Sequence, residues 1–478
     1  MRLSELAYET VSPDPQIEGL TADSRAVSRG FLFAALEGVS SDGAQFIPDA
    51  EEKGAAAVLA RPGVTSAVPV IADPEPRRRL AQMAARFYER QPDVIAGVTG
   101  TNGKTSTARF AAQLWSLLGL EAGSLGTLGA QSRVYERALA HTTPEPVLLH
   151  ETLDGMARAG VTHLAMEVSS HALAQHRPDG VDFRVAGFTN ITQDHLDYHA
   201  SFEDYFEAKG RLFSHLLKSD GSVAINMDGE GADRIGEIAR SRNLPTIQTG
   251  AKGRDVTLLS CTPHLGGLSL EIEHNSKTYR ADPPLIGSFQ AENALLAAGI
   301  VIAGGAKAQD VMVQLGTLEG APGRMEFIGE IRGGGIYVDY AHTPDAVATV
   351  LQAIRPHAQG RIIAIIGAGG DRDTSKRPLM GAAAAQHAEA VVVTDDNPRT
   401  EDPAEIRAEV MKGCPDALEI GDRAEAIAKG VAMLSEGDVL LILGKGHEAG
   451  QQVGDETFPF DDGAVARAAA ADQMKELG

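Results

Sequence analysis

At 478 residues the chain is too long for one ordinary hydrophobic core, and 43% hydrophobic with 23% charged residues excludes a disordered polymer. Its 43 basic against 65 acidic residues leave a net charge of −22, which excludes a nucleic-acid scaffold built on a basic face. Only Cys261 and Cys414 occur, without metal spacing, so no disulfide framework is expected. The first residues carry no apolar signal core, and no apolar run approaches the roughly 18 residues of a membrane span. A soluble, cytoplasmic protein is the expectation.

Residues 1–91 hold short apolar runs at 31–36, 55–60 and 68–71 and a helical stretch at 75–89, the pattern of a small α/β domain. Residues 92–324 begin with an apolar strand at 93–98 that runs into Gly97-Val98-Thr99-Gly100-Thr101-Asn102-Gly103-Lys104-Thr105-Ser106-Thr107. A glycine-bearing turn here opens a long apolar-striped helix, which is how a chain cradles a nucleoside triphosphate. Gly100 and Gly103 let backbone N–H groups approach the phosphates, and the helix N-terminus favours their charge. Lys104 reaches the outer phosphates, and the Thr105 hydroxyl can ligate Mg²⁺. Val98 stands where the common G-x-x-x-x-G-K-[ST] pattern has its first glycine, so the core reads G-T-N-G-K-T.

Strands at 162–168, 183–190 and 222–226 alternate with amphipathic helices and read as a parallel sheet buried on both faces. Glu167 falls at a strand C-terminal end, where open α/β sheets place ligand groups. It can ligate Mg²⁺ or orient a water, or be a plain solvated carboxylate. Asp194, His195, Asp197 and His199 follow without a cysteine, so His195 facing a phosphate-bound metal is favoured over zinc. Lys209, on an amphipathic helix, reads by itself as a surface residue. From 255 to 285 the pattern alternates with a period of two, with turns at Gly266-Gly267 and Asn275-Ser276, which predicts an antiparallel patch. A helix at 291–302 and a turn-rich joint at 320–323 close the segment.

Residues 325–478 start a second doubly wound sheet, with strands at 336–340, 361–366, 390–394 and 439–443 between alanine-rich helices. Its Gly367-Ala368-Gly369-Gly370 turn is not a dinucleotide fingerprint, so NAD is not expected. Thr394-Asp395-Asp396-Asn397-Pro398-Arg399 ends a strand in a turn that presents an arginine. The planar guanidinium fork suits a carboxylate, although a surface arginine reads equally well.

Three separated motifs agree: residues 100–105, Glu167 with Ser169-Ser170-His171, and residues 190–195 followed by Lys209. Together they resemble the Mur ligase family of ATP-dependent amide-forming enzymes. Gly323-Arg324-Met325-Glu326, Val338-Asp339-Tyr340-Ala341-His342-Thr343-Pro344 and Gly369-Gly370-Asp371-Arg372-Asp373 extend the likeness. Thr21-Ala22-Asp23-Ser24-Arg25 resembles the family's UDP-binding domain, so the likeness runs over essentially the whole chain.

The resemblance implies an α/β fold of three domains. These are a small N-terminal UDP-binding domain, a central P-loop ATPase domain with a parallel sheet plus an antiparallel patch, and a C-terminal Rossmann-like domain. It implies that Gly100, Thr101, Asn102, Gly103, Lys104, Thr105, Ser106, Asn293, Arg324 and Asp339 contact ATP. It also implies that Thr105, Glu167, His195 and Lys209 hold Mg²⁺, with Lys209 carboxylated by CO₂ to a carbamate. Lys104, Glu167, His195 and Lys209 are then the catalytic set.

For a UDP-muramoyl dipeptide acceptor the implied contacts are Ala22, Ser24, Val39, Ser40, Ser41, His141, Thr142, Thr143, Ser169, Gln175 and Arg177. His141 stands where relatives often carry Asn. The D-N-P-R run resembles the signature of members that add meso-diaminopimelate, with Arg372, Asp396, Asn397, Pro398, Arg399, Gly444 and Glu448 implied at the amino-acid site; Lys445 and His447 share the last turn. The substrates implied are UDP-MurNAc-L-Ala-D-Glu and meso-diaminopimelate, handled by a monomer without nucleic acid or membrane. Sister ligases adding lysine or D-Ala-D-Ala, folylpolyglutamate synthetases and a nucleotide-dependent switch remain the alternatives.

Overall fold

The computed structural model describes all residues except 39–41, 193–197, 200 and 478, with side chains to residue 474 at the C-terminal end. The chain forms two compact units, Met1–Val256 with Leu295–Val311, and Thr257–Ala294 with Met312–Gly478.

The first unit opens with α1 (Leu3–Ala7) and a parallel sheet of β1 (Gly19–Thr21), β2 (Phe31–Ala34), β3 (Ala57–Ala60) and β4 (Val70–Ala72) in sequential order. Helix α2 (Ile47–Glu52) lies between β2 and β3 in the chain, and α3 (Pro76–Phe87) follows β4. Pro76 at the first turn of α3 lacks the N–H that would be orphaned there, and Leu80, Ala81, Met83 and Ala84 form its buried face.

A second sheet carries β5 (Val94–Thr99), β6 (Ala122–Gly126), β7 (Gly129–Ser132), β8 (Glu136–Arg137), β9 (His163–Glu167), β10 (Phe183–Phe188), β11 (Ser222–Asn226) and β12 (Thr246–Gly250). Between them run α4 (Lys104–Leu117), α5 (Pro146–Arg158), α6 (Ser170–Ala174), α7 (Phe202–Arg211) and α8 (Ala232–Ser241). The spatial order is β12-β11-β10-β5-β9-β6-β7-β8. Strands β12 to β6 are parallel, and β7 and β8 add an antiparallel flank. Their apolar runs pack on both faces, as buried parallel strands must. Gly97 in β5 shows how tightly: a Cβ there would stand 2.7 Å from the Phe183 ring.

In the second unit β13 (Val256–His264), β14 (Gly267–His274) and β15 (Lys277–Ala281) form the antiparallel patch expected from the alternation. Asn275 and Ser276 both have positive φ, 49° and 60°, as a tight hairpin turn requires. Helices α9 (Phe289–Ala303) and α10 (Ala308–Gln314) follow in the chain, with their residues 295–303 and 308–311 belonging to the first unit. The remainder is β16 (Glu326–Ile331), β17 (Gly334–Asp339), α11 (Pro344–Ile354), β18 (Ile362–Ile366), α12 (Lys376–His387), β19 (Ala390–Val393), α13 (Pro403–Met411), β20 (Leu418–Glu419), α14 (Arg423–Ala432), β21 (Val439–Leu443), β22 (Gly450–Val453), β23 (Glu456–Pro459) and α15 (Asp462–Leu477). The sheet order is β16-β17-β21-β18-β19-β20, parallel except for the antiparallel edge strand β16. Strands β22 and β23 make a separate hairpin.

The α/β class and the strand-and-helix alternation agree with the sequence reading, with strand ends moved by one or two residues. Strands β1, β6, β7, β8, β12, β16, β20, β22 and β23 went unforeseen. They are short, glycine-bearing or polar, which leaves little hydrophobic pattern to read. Among the described residues no helix is long and apolar enough to cross a membrane.

His150, on α5, is fully buried, with Nε2 3.4 Å from the Asp179 carbonyl and no partner at Nδ1 among the described residues. Burial lowers its pKa from 6.5 to about 4. The unfolded chain therefore takes up this proton near pH 6.5 and the native protein only near 4, so His150 costs stability progressively as pH falls through that window. Urea midpoints at pH 7.5 and 5 should show a smaller acid loss for His150→Leu than for the unaltered protein; equal losses would contradict the assignment.

Candidate functional site

Every strand of a parallel run delivers its C-terminal end to one edge, and in the first unit β5, β9 and β10 bring three polar segments there. After β5 the chain turns at Gly100, φ 149°, and enters α4 from Gly103, φ 83°. A Cβ on Gly100 would fall 1.8 Å from Thr189 Oγ1 and 2.8 Å from the Asn190 carbonyl. Only glycine fits that crossing. The segment after β10 anchors the loop: Thr101 N–H donates to the Asn190 carbonyl at 2.8 Å and Asn102 N–H to Asn190 Oδ1 at 3.1 Å.

Two lysines meet at this loop. Lys104 Nζ donates to the Gly100 and Thr101 carbonyls at 3.0 and 2.8 Å. Lys209 Nζ, on α7, donates to the same Gly100 carbonyl at 2.6 Å and lies 4.5 Å from the Tyr205 ring centroid. Lys209 is 1% exposed, so its sequence-level reading as a surface residue is overturned by the packing of α7. Converging ammonium groups beside a helix N-terminus suit an anion.

Glu167, 2% exposed at the end of β9, faces the same place. Its Oε2 accepts from Thr105 Oγ1 at 2.9 Å, and its Oε1 accepts from Thr127 N–H at 2.8 Å. The plain solvated-carboxylate reading therefore fails. Gly126 leaves the room, since a Cβ there would stand 2.0 Å from Glu167 Oε1. A hydroxyl and a carboxylate, oxygen donors only, fit a hard cation such as Mg²⁺, which takes one or two carboxylates and completes its shell with phosphates and water. Among the described residues no group of three His, Cys, Asp or Glu makes a metal cluster by itself. His195 lies outside the described residues, as do Val39, Ser40 and Ser41.

Glu167 also joins the loop to a polar chain. Thr127 Oγ1 is 3.0 Å from Thr142 Oγ1, and Thr143 Oγ1 donates to the Glu167 carbonyl at 2.9 Å. Ser169 N–H donates to Thr143 Oγ1 at 3.1 Å, while the Ser169 side chain caps α6. Arg177 donates to the Thr143 carbonyl at 2.9 Å and to Gln175 Oε1 at 2.8 Å, and pairs with Glu145 at 2.8 Å. Thus Thr142, Thr143, Ser169, Gln175 and Arg177 come together, with His141 exposed beside them. Ala22 and Ser24 line a separate cleft of about 880 Å³ with Phe46 and Arg77 of the first sheet's layer, Glu145 at the cap of α5 and Pro146 to Leu148 in its first turn.

In the second unit the strand ends of β18, β19 and β21 converge. Asn397 Nδ2 donates to Glu448 Oε2 at 2.9 Å, and fully buried Lys445 donates to Asn397 Oδ1 at 3.0 Å and pairs with Glu448 at 3.2 Å. Arg399 has φ 51° and donates to the Gly370 carbonyl at 2.7 Å. Gly444 touches Asp396, because a Cβ there would stand 2.5 Å from Asp396 Oδ2. Arg372 is exposed on the 367–372 turn, and Pro398 packs its carbonyl against Gly370. A cation and an anion thus stand at neighbouring strand ends, the pattern that a zwitterion fits.

Asp339 is buried at the end of β17, and burial raises its pKa even though Met325 and Ala341 N–H groups donate to it at 2.7 and 2.8 Å. The Arg324 guanidinium lies 4.7 Å from the Tyr340 ring centroid. Asn293 is buried, and its Nδ2 donates to Gln290 at 3.0 Å. Sequence reasoning missed Thr127, Tyr205 and Arg423. A polar residue straight after the glycine that ends β6 was a usable signal for Thr127; nothing in the sequence marked the others.

Family models match the chain in three stretches: "Mur ligase family, catalytic domain" over residues 16–88, "Mur ligase middle domain" over 98–301 and "Mur ligase, glutamate ligase domain" over 323–446. A Caulobacter vibrioides protein called UDP-N-acetylmuramoyl-L-alanyl-D-glutamate--2,6-diaminopimelate ligase is 48% identical over 470 residues, covering 96% of this chain and 97% of its own. An Agrobacterium fabrum protein of the same name is 46% identical, covering 96% and 94%. A solved structure with that name superposes with a TM-score of 0.78 at 33% identity and covers 99% of each chain. Mycobacterium tuberculosis folylpolyglutamate synthase, at 18% identity and a TM-score of 0.58 over 84% of this chain and 95% of its own, shares the fold alone.

The crossing at Gly100 generates a prediction. Gly100→Ala must push Thr189 and Asn190 out of register, and titration with a fluorescent ATP analogue should show affinity lowered by about tenfold or more, some 1.4 kcal/mol. Unchanged affinity would detach the loop from nucleotide binding.

Proposed function

The chain belongs to the Mur ligase family, and from that premise we propose how its residues carry out the reaction. It is an ATP-dependent, ADP-forming ligase that joins meso-diaminopimelate to UDP-MurNAc-L-Ala-D-Glu in peptidoglycan precursor synthesis, working in the cytoplasm. The observation that carries the choice of amino acid is Arg399 beside the Asn397–Glu448–Lys445 cluster. Diaminopimelate differs from lysine by a second carboxylate, and a bidentate arginine is the partner that distinguishes the two.

A carboxylate cannot form an amide directly, because its oxygen is a poor leaving group. The γ-phosphoryl group of ATP passes to an acceptor carboxylate oxygen, and ADP leaves. The amine nitrogen then bonds to the carbonyl carbon and loses a proton, and the carbon–oxygen bond to phosphate breaks. The protein's part is positioning and charge stabilisation. Residues 100–106, with Lys104, hold the phosphates, while Asn293, Arg324 and Asp339 serve the rest of the nucleotide. Thr105 and Glu167 would hold Mg²⁺, with His195 and Lys209 at a second ion, and the metal supplies charge neutralisation on the phosphates. The cleft at Ala22 and Ser24, with residues 39–41, takes the uridine diphosphate. Thr142, Thr143, Ser169, Gln175 and Arg177, with His141 at their margin, orient the muramoyl dipeptide. Arg372, Asp396 to Arg399, Gly444 and Glu448 take the amino acid, with Glu448 accepting from its ammonium.

Lys209 acts as a carbamate in this reading. The carbamate N–H can still donate to the Gly100 carbonyl, and the anionic oxygens suit a hard cation. Lys209→Ala should lose most of its phosphate release and regain part of it with added short carboxylic acids. An unimpaired variant would remove the carbamate from the mechanism. Arg399→Ala should raise KM for meso-diaminopimelate by about tenfold or more while KM for ATP stays in place. Equal changes in both constants would undo the assignment of Arg399.

A further inference from the structure

The second unit contains a fully buried ion pair that belongs to none of the roles above. The side chains of Arg423, the first residue of α14, and Asp462, the first residue of α15, are both 0% exposed and meet at 2.6 Å, with Arg423 Nε 2.7 Å from the other carboxylate oxygen. Two more donor hydrogens of the guanidinium go to main-chain carbonyls. Nη2 donates to Leu443 at 3.0 Å and Nη1 to Asp395 at 3.3 Å.

Those carbonyls are placed tellingly. Leu443 immediately precedes Gly444, so its carbonyl begins the turn that carries Lys445 and Glu448. Asp395 immediately precedes Asp396, so its carbonyl begins the turn that carries Asn397 and Arg399. One rigid fork therefore grips the root of both turns. The turns also meet directly, through Gly444 against Asp396 and through Asn397 with Glu448 and Lys445. The outer end of the 394–399 turn is held elsewhere, by Arg399 N–H on the Gln452 carbonyl at 3.2 Å. A buried pair of this kind is a poor source of net stability, since apolar replacements often match it, and geometry is its better-supported use.

We infer that Arg423, fixed by Asp462, is a positioning residue for amino-acid selection, setting the turn with Arg399 against the turn with Glu448 so that both ends of one diamino dicarboxylic acid are read together. The inference rests on the amino-acid site assigned above. Arg423 touches no substrate and acts only through the two carbonyls. Its planar fork can hold both at once, whereas a lysine in its place keeps the charge toward Asp462 but cannot span them.

Two variants test this. Arg423→Met with Asp462→Leu replaces the pair by apolar side chains, and Arg423→Lys keeps the charge alone. In either one, KM for meso-diaminopimelate should rise by about tenfold, with KM for ATP and for the dipeptide acceptor held within about twofold. Preference for diaminopimelate over lysine should fall alongside. Amide hydrogen exchange should quicken at residues 395–399 and 444–448 while β17 and β18 keep their protection. An unchanged KM for the amino acid, or exchange quickened evenly across the whole sheet, would overturn the inference. So would failure of both variants to fold, which would make the pair a determinant of the fold. Arg399→Ala separates the two levels. If it raises the amino-acid KM and the Arg423 variants do not, the positioning role alone fails. If it does not, the site assignment fails, and the exchange pattern still decides whether Arg423 grips the turns.

Discussion

A parallel strand buried on both faces can offer chemistry only where it ends. Helices cover the two faces of such a strand, and its backbone is committed to its neighbours, so ligand-binding groups gather at the C-terminal edge of the sheet. Both α/β sheets with long apolar strands obey this constraint. In the first unit β5 ends in the 100–103 turn, β9 in Glu167, and β10 in the Thr189-Asn190 segment that pins the turn. In the second unit β17 ends in Asp339, β18 in the 367–370 turn, β19 in the 394–399 turn and β21 in the 444–448 turn. The residues assigned to chemistry are therefore scattered in sequence and adjacent in space.

The same edge resolves a conflict of charge. A chain carrying −22 must bind phosphates and carboxylates, so its cations have to be concentrated and fixed. Lys104 is held on the Gly100 and Thr101 carbonyls, and Lys445 is locked between Asn397 and Glu448. Holding these groups in place before the ligand arrives avoids the reorganisation that exposed, mobile lysines would require. Glycines at Gly100, Gly126 and Gly444 make the arrangement possible, because a Cβ at any of them would collide with the group it serves.

Much of this was legible in the sequence for a definite reason. Continuous apolar runs announced the parallel strands and drew attention to Glu167 at the end of one, where a solvated carboxylate read equally well, while Asn397 came in only with the resemblance carried by the D-N-P-R run. Lys209 was not legible from its own surroundings: on an amphipathic helix it looks like any surface lysine, and only its packing against Gly100 and Tyr205 buries it. Arg423 was harder still, since its meaning lies in carbonyls 28 and 20 residues away in the chain. Edge strands such as β16 and the β22–β23 hairpin carried little hydrophobic signal and left no trace in the pattern.

The central claim is that strand-end turns in the second unit select a diamino acid with a second carboxylate. Phosphate release in the presence of ATP, Mg²⁺ and UDP-MurNAc-L-Ala-D-Glu, followed across a panel of amino acids, tests it most directly. The account predicts rapid release with meso-diaminopimelate and little with L-lysine or D-alanyl-D-alanine. Release with lysine as fast as with diaminopimelate would contradict it.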